Sequence, residues 1–153
     1  MKNTLKSFGI IAAVAIIGFS MTACNNGGGG GGEHTGPGSR SEPITLQENV
    51  WHNGTITGRG HTLYFVFTVN AETIYRFWVN DEYGDGSKTL DVTGTLTLPG
   101  GEVIDWDDHW YNAVVFTPAA SGQVYVELKA FTSSETGTFA IVFSSNATKP
   151  ASN

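Results

Sequence analysis

Acidic residues crowd a glycine-containing stretch, NDEYGDGSKTLD, that runs from Asn80 to Asp91. Calcium prefers about six to eight oxygen ligands, which flexible loops supply from carboxylates and backbone carbonyls. The stretch therefore predicts a calcium site at Asp81, Asp85 and Asp91, although its spacing differs from that of an EF-hand. The alternative is a solvated hairpin in which aspartate and glycine only satisfy the geometry of a turn. No cofactor is required under either interpretation, and calcium is the one metal that the sequence suggests.

Aromatic and acidic residues are interspersed in a second stretch, DWDDHWYN, which covers residues 105–112. Ligand sites combine aromatic walls with a few polar groups that fix orientation, and sugars suit this pairing of rings with carboxylates. The stretch therefore predicts a ligand-binding surface formed by Trp106, Asp108, Trp110 and Tyr111. The alternative is that one or two of these rings cap the end of the core, because large aromatic side chains usually bury most of their area.

Trp78 is a further candidate for a ligand-binding ring. In the stretch YRFWV it alternates with Tyr75, Phe77 and Val79, so in a strand it points away from the face that those residues share. The ring either contributes to a binding surface or packs in a second layer outside the sheet. Arg76 lies on the same face, where its guanidinium could stack on the indole.

Sequence patterns typical of catalysis are absent from the chain. It has no Gly-x-Ser-x-Gly turn, and its four histidines are scattered and form no HExxH set. The paired carboxylates of glycosidases stand about 5 to 10 Å apart across a cleft. Asp107 and Asp108 are instead neighbours, which point to opposite faces in a strand. We therefore expect a protein that is not an enzyme, with a hydrolase based on residues 105–108 as the weakest alternative.

The N-terminal residues have the features of a bacterial secretion signal. Lys2 and Lys6 precede an apolar run at residues 8–19, which is shorter than the roughly 20 residues needed to span a bilayer. The sequence MTAC, which ends at Cys24, resembles the bacterial lipobox, in which cleavage before the cysteine is followed by its lipidation. The resemblance implies a lipid anchor on Cys24 and a location in the cell envelope, with the outer membrane or cell surface favoured.

Six consecutive glycines follow the cysteine at residues 27–32. Because glycine has no side chain to bury and high chain entropy, we expect this segment and the polar residues after it to form a flexible tether. The chain then divides into a signal peptide (1–23), the lipidated tether (24–42), a globular domain (43–145) and a C-terminal tail (146–153). Eight basic and fourteen acidic side chains give a net charge of −6. Nucleic acid is therefore not an expected partner, and lipid must hold the chain at a membrane.

Apolar residues recur with period two in the globular domain, as in HTLYFVFTV and QVYVELKA, which indicates strands with one buried face. Turn sequences such as Pro99-Gly100-Gly101 separate these runs, and no segment has a helical stripe. We predict an all-β fold, a two-sheet antiparallel β-sandwich of jelly-roll type with about eight strands. The predicted strand segments are Ile44–Glu48, Asn53–Thr57, Thr62–Val69, Thr73–Asn80, Lys88–Leu98, Glu102–Asp105, Ala113–Thr117, Gln123–Ala130 and Gly137–Ser144.

Four stretches of this domain resemble bacterial pre-peptidase C-terminal (PPC) domains. TLYFVFTVNAETIYRF is similar to their opening strands, and TLDVTGTLTLPGGEVI to their Asp-bearing strand and hairpin. FTPAASGQVYVEL resembles a Pro-x-x-x-Gly-x-Tyr-Val segment, and GTFAIVFS a closing strand. The resemblance covers about Ile44 to Ser145. It implies a jelly-roll-like sandwich of the kind appended to secreted enzymes or surface proteins as a non-catalytic binding module, some members of which bind calcium.

These observations predict a membrane-anchored lipoprotein that presents a binding module for a glycan, a peptide or an envelope protein. The alternative is a purely structural protein of the cell envelope. An exposed stripe of Trp78, Trp106 and Trp110 would favour the binding module, and burial of all three would favour the structural protein.

Overall fold

The computed structural model describes residues 36–81, 88–106 and 113–151 of the 153-residue chain. The signal peptide, Cys24, the glycine run and the candidate residues Asp85, Asp108, Trp110 and Tyr111 lie outside these ranges. In the described part, all regular secondary structure is β-strand, and no helix there is long and apolar enough to cross a membrane. The strands are β1 (Ile44–Thr45), β2 (His52–Ile56), β3 (Thr62–Val69), β4 (Tyr75–Asn80), β5 (Val92–Thr97), β6 (Val103–Trp106), β7 (Val114–Phe116), β8 (Gly122–Ala130) and β9 (Gly137–Ser144).

The strands form two sheets. One sheet has five strands in the order β1-β3-β8-β5-β6, and the other has four in the order β2-β9-β4-β7. Every pairing between these strands is antiparallel except that of β1, which runs parallel to β3. The predicted two-sheet β-sandwich is confirmed, and each of its nine strands overlaps one of the nine predicted segments, although the predicted count was about eight.

Aromatic side chains from both sheets meet in the core. Phe67 of β3 stacks on Phe143 of β9 with ring centroids 4.0 Å apart and an interplanar angle of 19°. Phe65 of β3 contacts Phe139 of β9 edge-to-face, with centroids 6.3 Å apart. These residues alternate with outward-facing ones along each strand, so the period of two in the sequence directs every second side chain into the space between the layers. The sandwich is therefore held together mainly by burial of large apolar side chains.

The outer face of the four-stranded sheet is also covered. Ala140 and Val142 alternate with the core residues of β9, and so face outward, yet both are buried. Trp78 pairs with Val142 in the neighbouring strand and is 6% exposed. Trp78, Ala140 and Val142 thus form a second packing layer outside the sheet. Packing in such a layer was one of the two interpretations of Trp78.

The C-terminal residues lie against this outer face. The indole nitrogen of Trp51 donates a hydrogen bond to the carbonyl oxygen of Pro150 (3.1 Å), and the Lys149 ammonium lies 5.3 Å from the centroid of the same indole. Arg76 donates to the carbonyl oxygen of Asn146 (3.3 Å). The tail is therefore bonded to β4 and to the residue before β2.

The last residues of the predicted tether pack against the five-stranded sheet. The backbone N–H of Tyr64 donates to the carbonyl oxygen of Gly38 (2.8 Å), and Gly38 and Ser39 are buried. A Cβ at Gly38 would lie 2.9 Å from Leu63 Cδ2, so the absence of a side chain allows this close approach. Glu42 in turn exchanges backbone hydrogen bonds with Gly38 and Ser39, so these residues form a turn that is bonded to β3 through Gly38. The boundary of the tether at residue 42 stays a prediction.

Candidate functional site

Charged and hydroxyl side chains meet in rows on the outer face of the five-stranded sheet. Thr95 of β5 pairs with Glu127 of β8 on one side and with Asp105 of β6 on the other. In the next row, Thr93 of β5 pairs with Lys129 of β8. Residues directly opposite each other in neighbouring strands have Cβ atoms about 5 Å apart on one face. The register of three strands thus brings two carboxylates, an ammonium and two hydroxyls onto a single surface.

A cleft of about 350 Å³ lies over these rows. It is lined by Thr93, Gly94, Thr95, Asp105, Trp106, Glu127 and Lys129.

The polar groups of the cleft are mostly available for a ligand. The Thr93 hydroxyl donates to the carbonyl oxygen of Trp106 (2.7 Å). The side chains of Thr95, Asp105, Glu127 and Lys129 form no hydrogen bond or ion pair with any residue in the described part of the chain. Most polar groups in a folded protein are hydrogen-bonded to protein or water. The polar side chains of the cleft can therefore form hydrogen bonds with a ligand. The cleft carries two negative charges, on Asp105 and Glu127, and one positive charge, on Lys129.

Gly94 and Trp106 form the floor of the cleft. They pair directly across β5 and β6, and a Cβ at Gly94 would lie 2.8 Å from Trp106 Cζ2 and in collision with the carbonyl oxygen of Glu127. Trp106 is 4% exposed, and its ring centroid lies 5.8 Å from that of Phe77 in the other sheet. Because Gly94 has no side chain, the Trp106 indole can pack against its backbone. The indole thus fills the core directly beneath the polar rows.

Two exposed rings stand on or just beyond β8, on either side of the cleft. Tyr125, two residues before Glu127, is 49% exposed, and its hydroxyl donates to Gln123 Oε1 (2.7 Å). Phe131, two residues after Lys129, is 51% exposed. Most large apolar side chains of the domain are buried in the core, whereas these two rings are exposed to solvent. They can therefore contact a partner.

The tryptophans predicted to bind ligand are placed differently. Trp78 and Trp106 are buried, because Trp78 lies in the outer packing layer and Trp106 in the core, and ligand binding by these two residues stays a prediction. For Trp106 the alternative, a packing role, is the one that the structure shows. Asp108, Trp110 and Tyr111 lie outside the described residues, so their part in a ligand-binding surface stays a prediction.

Two of the three predicted calcium ligands, Asp81 and Asp91, flank residues 82–87, which lie outside the described residues and include Asp85. Asp81 directly follows β4 and Asp91 directly precedes β5, and both side chains are buried rather than solvated. The described residues contain no group of three or more His, Cys, Asp or Glu side chains placed to hold a metal ion. Asp85 is not among them. Calcium binding by Asp81, Asp85 and Asp91 stays a prediction.

Comparison with known proteins finds similar folds only. No family model and no curated protein matches the chain. Among solved structures, the pre-peptidase C-terminal domain of a Bacillus anthracis collagenase is similar, with a TM-score of 0.44 and 18% identity over 67% of this chain and 94% of that one.

Two periplasmic inhibitors of g-type lysozyme, both named PliG, are similar to about the same extent. The protein from Salmonella Typhimurium has a TM-score of 0.46 and 13% identity over 66% of this chain and 96% of that one. The protein from Aeromonas hydrophila has the same score and identity, over 66% of this chain and 95% of that one. These likenesses concern the fold, and membership of the PPC family stays a prediction.

Of the residues that line the cleft, only Trp106 was among the predicted ligand-binding residues. The alternation in QVYVELKA does place Tyr125, Glu127 and Lys129 on the face opposite the core. What it leaves out is the register that sets Thr95 between Glu127 and Asp105, since strand pairing is not encoded in one strand alone.

Proposed function

We propose that the chain is a bacterial envelope lipoprotein, anchored through lipid on Cys24, whose β-sandwich binds a ligand without catalysing a reaction. The observation that carries the binding role is the cleft on the outer face of the five-stranded sheet. There Thr95, Asp105, Glu127 and Lys129 have no bonding partner in the described part of the chain. Concave surfaces with a few convergent polar groups are where ligands usually bind. The ligand is a glycan, a peptide or a protein of the envelope.

The binding role predicts that Glu127 contributes to affinity. The full chain, purified in detergent, is applied to glycan and peptide arrays beside its Glu127→Gln variant. Glu42→Gln is the matched control, because Glu42 is an exposed carboxylate near β1, at the sheet edge opposite β6. We expect Glu127→Gln to weaken binding at least severalfold and Glu42→Gln to leave it unchanged. Equal binding by all three proteins would exclude the cleft.

The anchor is tested separately through Cys24. We expect the wild-type chain to partition with membranes, to be released only by detergent, and to carry a mass increase on its mature N-terminal cysteine. Cys24→Ser removes the group that receives lipid, so this variant should be found in the aqueous fraction or remain unprocessed. Stable anchoring takes more than one acyl chain, so the mass increase should correspond to at least two. An unmodified thiol on the mature chain would contradict the proposal.

A purely structural envelope protein is the second candidate. It is favoured by the burial of Trp78 and Trp106, which removes two of the three rings expected in an exposed stripe. A structural role predicts that no ligand on either array is sensitive to substitutions in the cleft.

Hydrolysis is the weakest candidate and can be measured with the same ligands. Asp105 and Glu127 flank Thr95 in the sheet, so they stand two strands apart, which is roughly 10 Å. Carboxylates of inverting glycosidases are separated by about 6.5 to 9.5 Å. We expect no release of reducing ends from any bound glycan, and turnover that Asp105→Asn abolishes would overturn the non-catalytic assignment.

A further inference from the structure

Most polar groups of the cleft lie on the interior strands β5 and β8, and Asp105 lies on the edge strand β6. β5 is paired with β6 and β8 on its two sides, and β8 with β3 and β5. Their backbone groups are therefore occupied, and an extended peptide cannot add to them as a further strand. Within the described residues, the edge strand next to the cleft is β6, which has only four residues. A ligand over the cleft has to be recognised by side chains, which suits a molecule that carries many hydroxyl groups of its own.

The two exposed rings set the length and direction of the surface. Tyr125 and Phe131 are six residues apart, which is about 20 Å along an extended chain. The hydrogen bond from the Tyr125 hydroxyl to Gln123, two residues away in the same strand, restricts the orientation of the ring. Between the rings lie Glu127 and Lys129. The surface along β8 therefore has an aromatic ring at each end and charged side chains between them. A sugar chain has matching groups, because each sugar ring has apolar faces and hydroxyl groups at its edge.

The charge of the cleft restricts the kind of sugar. Asp105 and Glu127 accept hydrogen bonds from hydroxyl or amine groups, and the Thr95 hydroxyl both donates and accepts. Lys129 is the single cation among the lining residues and can donate to a hydroxyl or carbonyl oxygen. An acidic sugar would place its carboxylate near two carboxylates of the protein, and like charges repel at this distance.

We propose that this surface binds an elongated, non-acidic oligosaccharide that lies along β8. One sugar ring stacks on Tyr125 and another on Phe131, and the hydroxyl groups between them bond to Thr95, Asp105 and Glu127. This assignment rests on the proposed function, namely that the cleft is a ligand-binding site, and it names the class of ligand.

The test measures affinity against oligosaccharide length and charge. The full chain in detergent is titrated calorimetrically with neutral oligomers of two to six sugars derived from cellulose, chitin and mannan, and with oligogalacturonates of the same lengths. We expect at least one neutral series to bind, with an affinity that rises with length and becomes constant once both rings are bridged. The oligogalacturonates should bind at least tenfold more weakly. Binding by none of the neutral series, or equal binding of the acidic one, overturns the inference.

Variants separate the two ends of the surface. Tyr125→Ala should weaken binding about tenfold at every length, because it removes one stacking ring, while Tyr125→Phe should retain most of the affinity. Phe131→Ala should leave short oligomers unaffected and remove the gain of the longer ones. Val115→Ala is the control, since Val115 is an exposed apolar residue (57%) on the other sheet. Circular dichroism checks that each variant is folded, and a length dependence that Phe131→Ala leaves intact contradicts the proposed direction.

The outcomes distinguish this inference from the proposed function. If peptides bind in a manner sensitive to Glu127→Gln and no oligosaccharide binds, the cleft is a binding site and the ligand class is wrong. If no ligand of either class depends on the cleft, both proposals are wrong.

Discussion

Gly94 is the residue on which the packing beneath the cleft depends most directly. Its backbone lies against the carbonyl of Glu127 on one side and the indole of Trp106 on the other. All three residues belong to the five-stranded sheet and line the cleft. A single added methyl group would therefore disturb both the core and the cleft.

We predict that Gly94→Ala lowers the free energy of unfolding by about 2 to 3 kcal/mol, as measured by urea denaturation. The added Cβ would collide with backbone that cannot move without breaking the β5–β8 pairing. Gly58→Ala is the matched control, because no heavy atom lies within 4 Å of the position its Cβ would take. If both variants unfold at the wild-type urea concentration, the close packing described for Gly94 is incorrect.

His52 makes stability depend on pH. Its ring lies edge-on to Phe65, with centroids 5.3 Å apart, and burial lowers the pKa of His52 below its ordinary value of about 6.5. As the pH falls below 6.5, the unfolded chain binds a proton at this site before the folded chain does, so the free energy of unfolding decreases. The loss continues until the pH reaches the lowered pKa of the folded state.

The matched measurement compares wild type with His52→Asn in urea between pH 7.5 and pH 5. We expect the wild type to lose more stability over this range than the variant, although the variant is less stable at pH 7.5. Equal slopes in the two proteins would show that His52 does not contribute. Only the difference in slope between the two proteins is assigned to His52.

At the scale of elements, the C-terminal tail bonds to β4 and to the segment before β2 through several kinds of contact. Just before the tail, the Ser145 hydroxyl and N–H donate to Glu48 Oε1 (2.6 and 2.8 Å), and the tail then reaches Trp51. Aromatic, ionic and backbone groups all take part, so the tail covers part of the outer face of this sheet.

We predict that deleting residues 146–153 lowers the free energy of unfolding by about 1 to 2 kcal/mol, since hydrogen bonds and a cation–π contact are lost. The deletion should also increase quenching of tryptophan fluorescence by acrylamide, because it uncovers Trp51. Lys149→Met serves as the control, as it removes only the cation and should have a smaller effect. Unchanged quenching after the deletion would mean that the tail does not cover the indole.

Elements were largely predictable from the sequence because each strand carries its own alternation. The predicted segment Thr62–Val69 coincides with β3, and Gly137–Ser144 with β9. The N-terminal limit of the domain was not predictable in this way. Gly38 and Ser39 pack through backbone bonds and the absence of a side chain, which leave no apolar pattern.

The candidate site was predictable only in part, for two physical reasons. Alternation correctly places Trp78 outside the core layer, but it does not reveal what covers that outer face. The cleft depends on the register of β5, β6 and β8, which joins residues as distant in the chain as Asp105 and Glu127. Such pairing follows from the packing of the whole sheet rather than from a local motif.

At the scale of the whole molecule, the expectation that no metal is required can be tested by thermal unfolding. We predict that the unfolding temperature is the same in buffer and in excess chelator. Calcium at a hundred times its dissociation constant would add about 2.7 kcal/mol of stability if the folded chain binds it. A calcium-dependent rise that Asp91→Asn removes would therefore assign the site predicted at Asp81, Asp85 and Asp91.

The N-terminal segment and the cleft lie at opposite edges of the five-stranded sheet. β1 and the turn around Gly38 form one edge, whereas β6 beside the cleft forms the other. A chain held by lipid at its N-terminus and by a ligand at the cleft would bear mechanical load across the sheet, and the two-residue β1 would detach first. Release of residues 36–45 would extend the predicted tether by roughly 35 Å, while β5, β6 and β8 stay paired. Detachment of β1 would then lengthen the connection between the ligand and the lipid anchor under load, while the cleft stays intact.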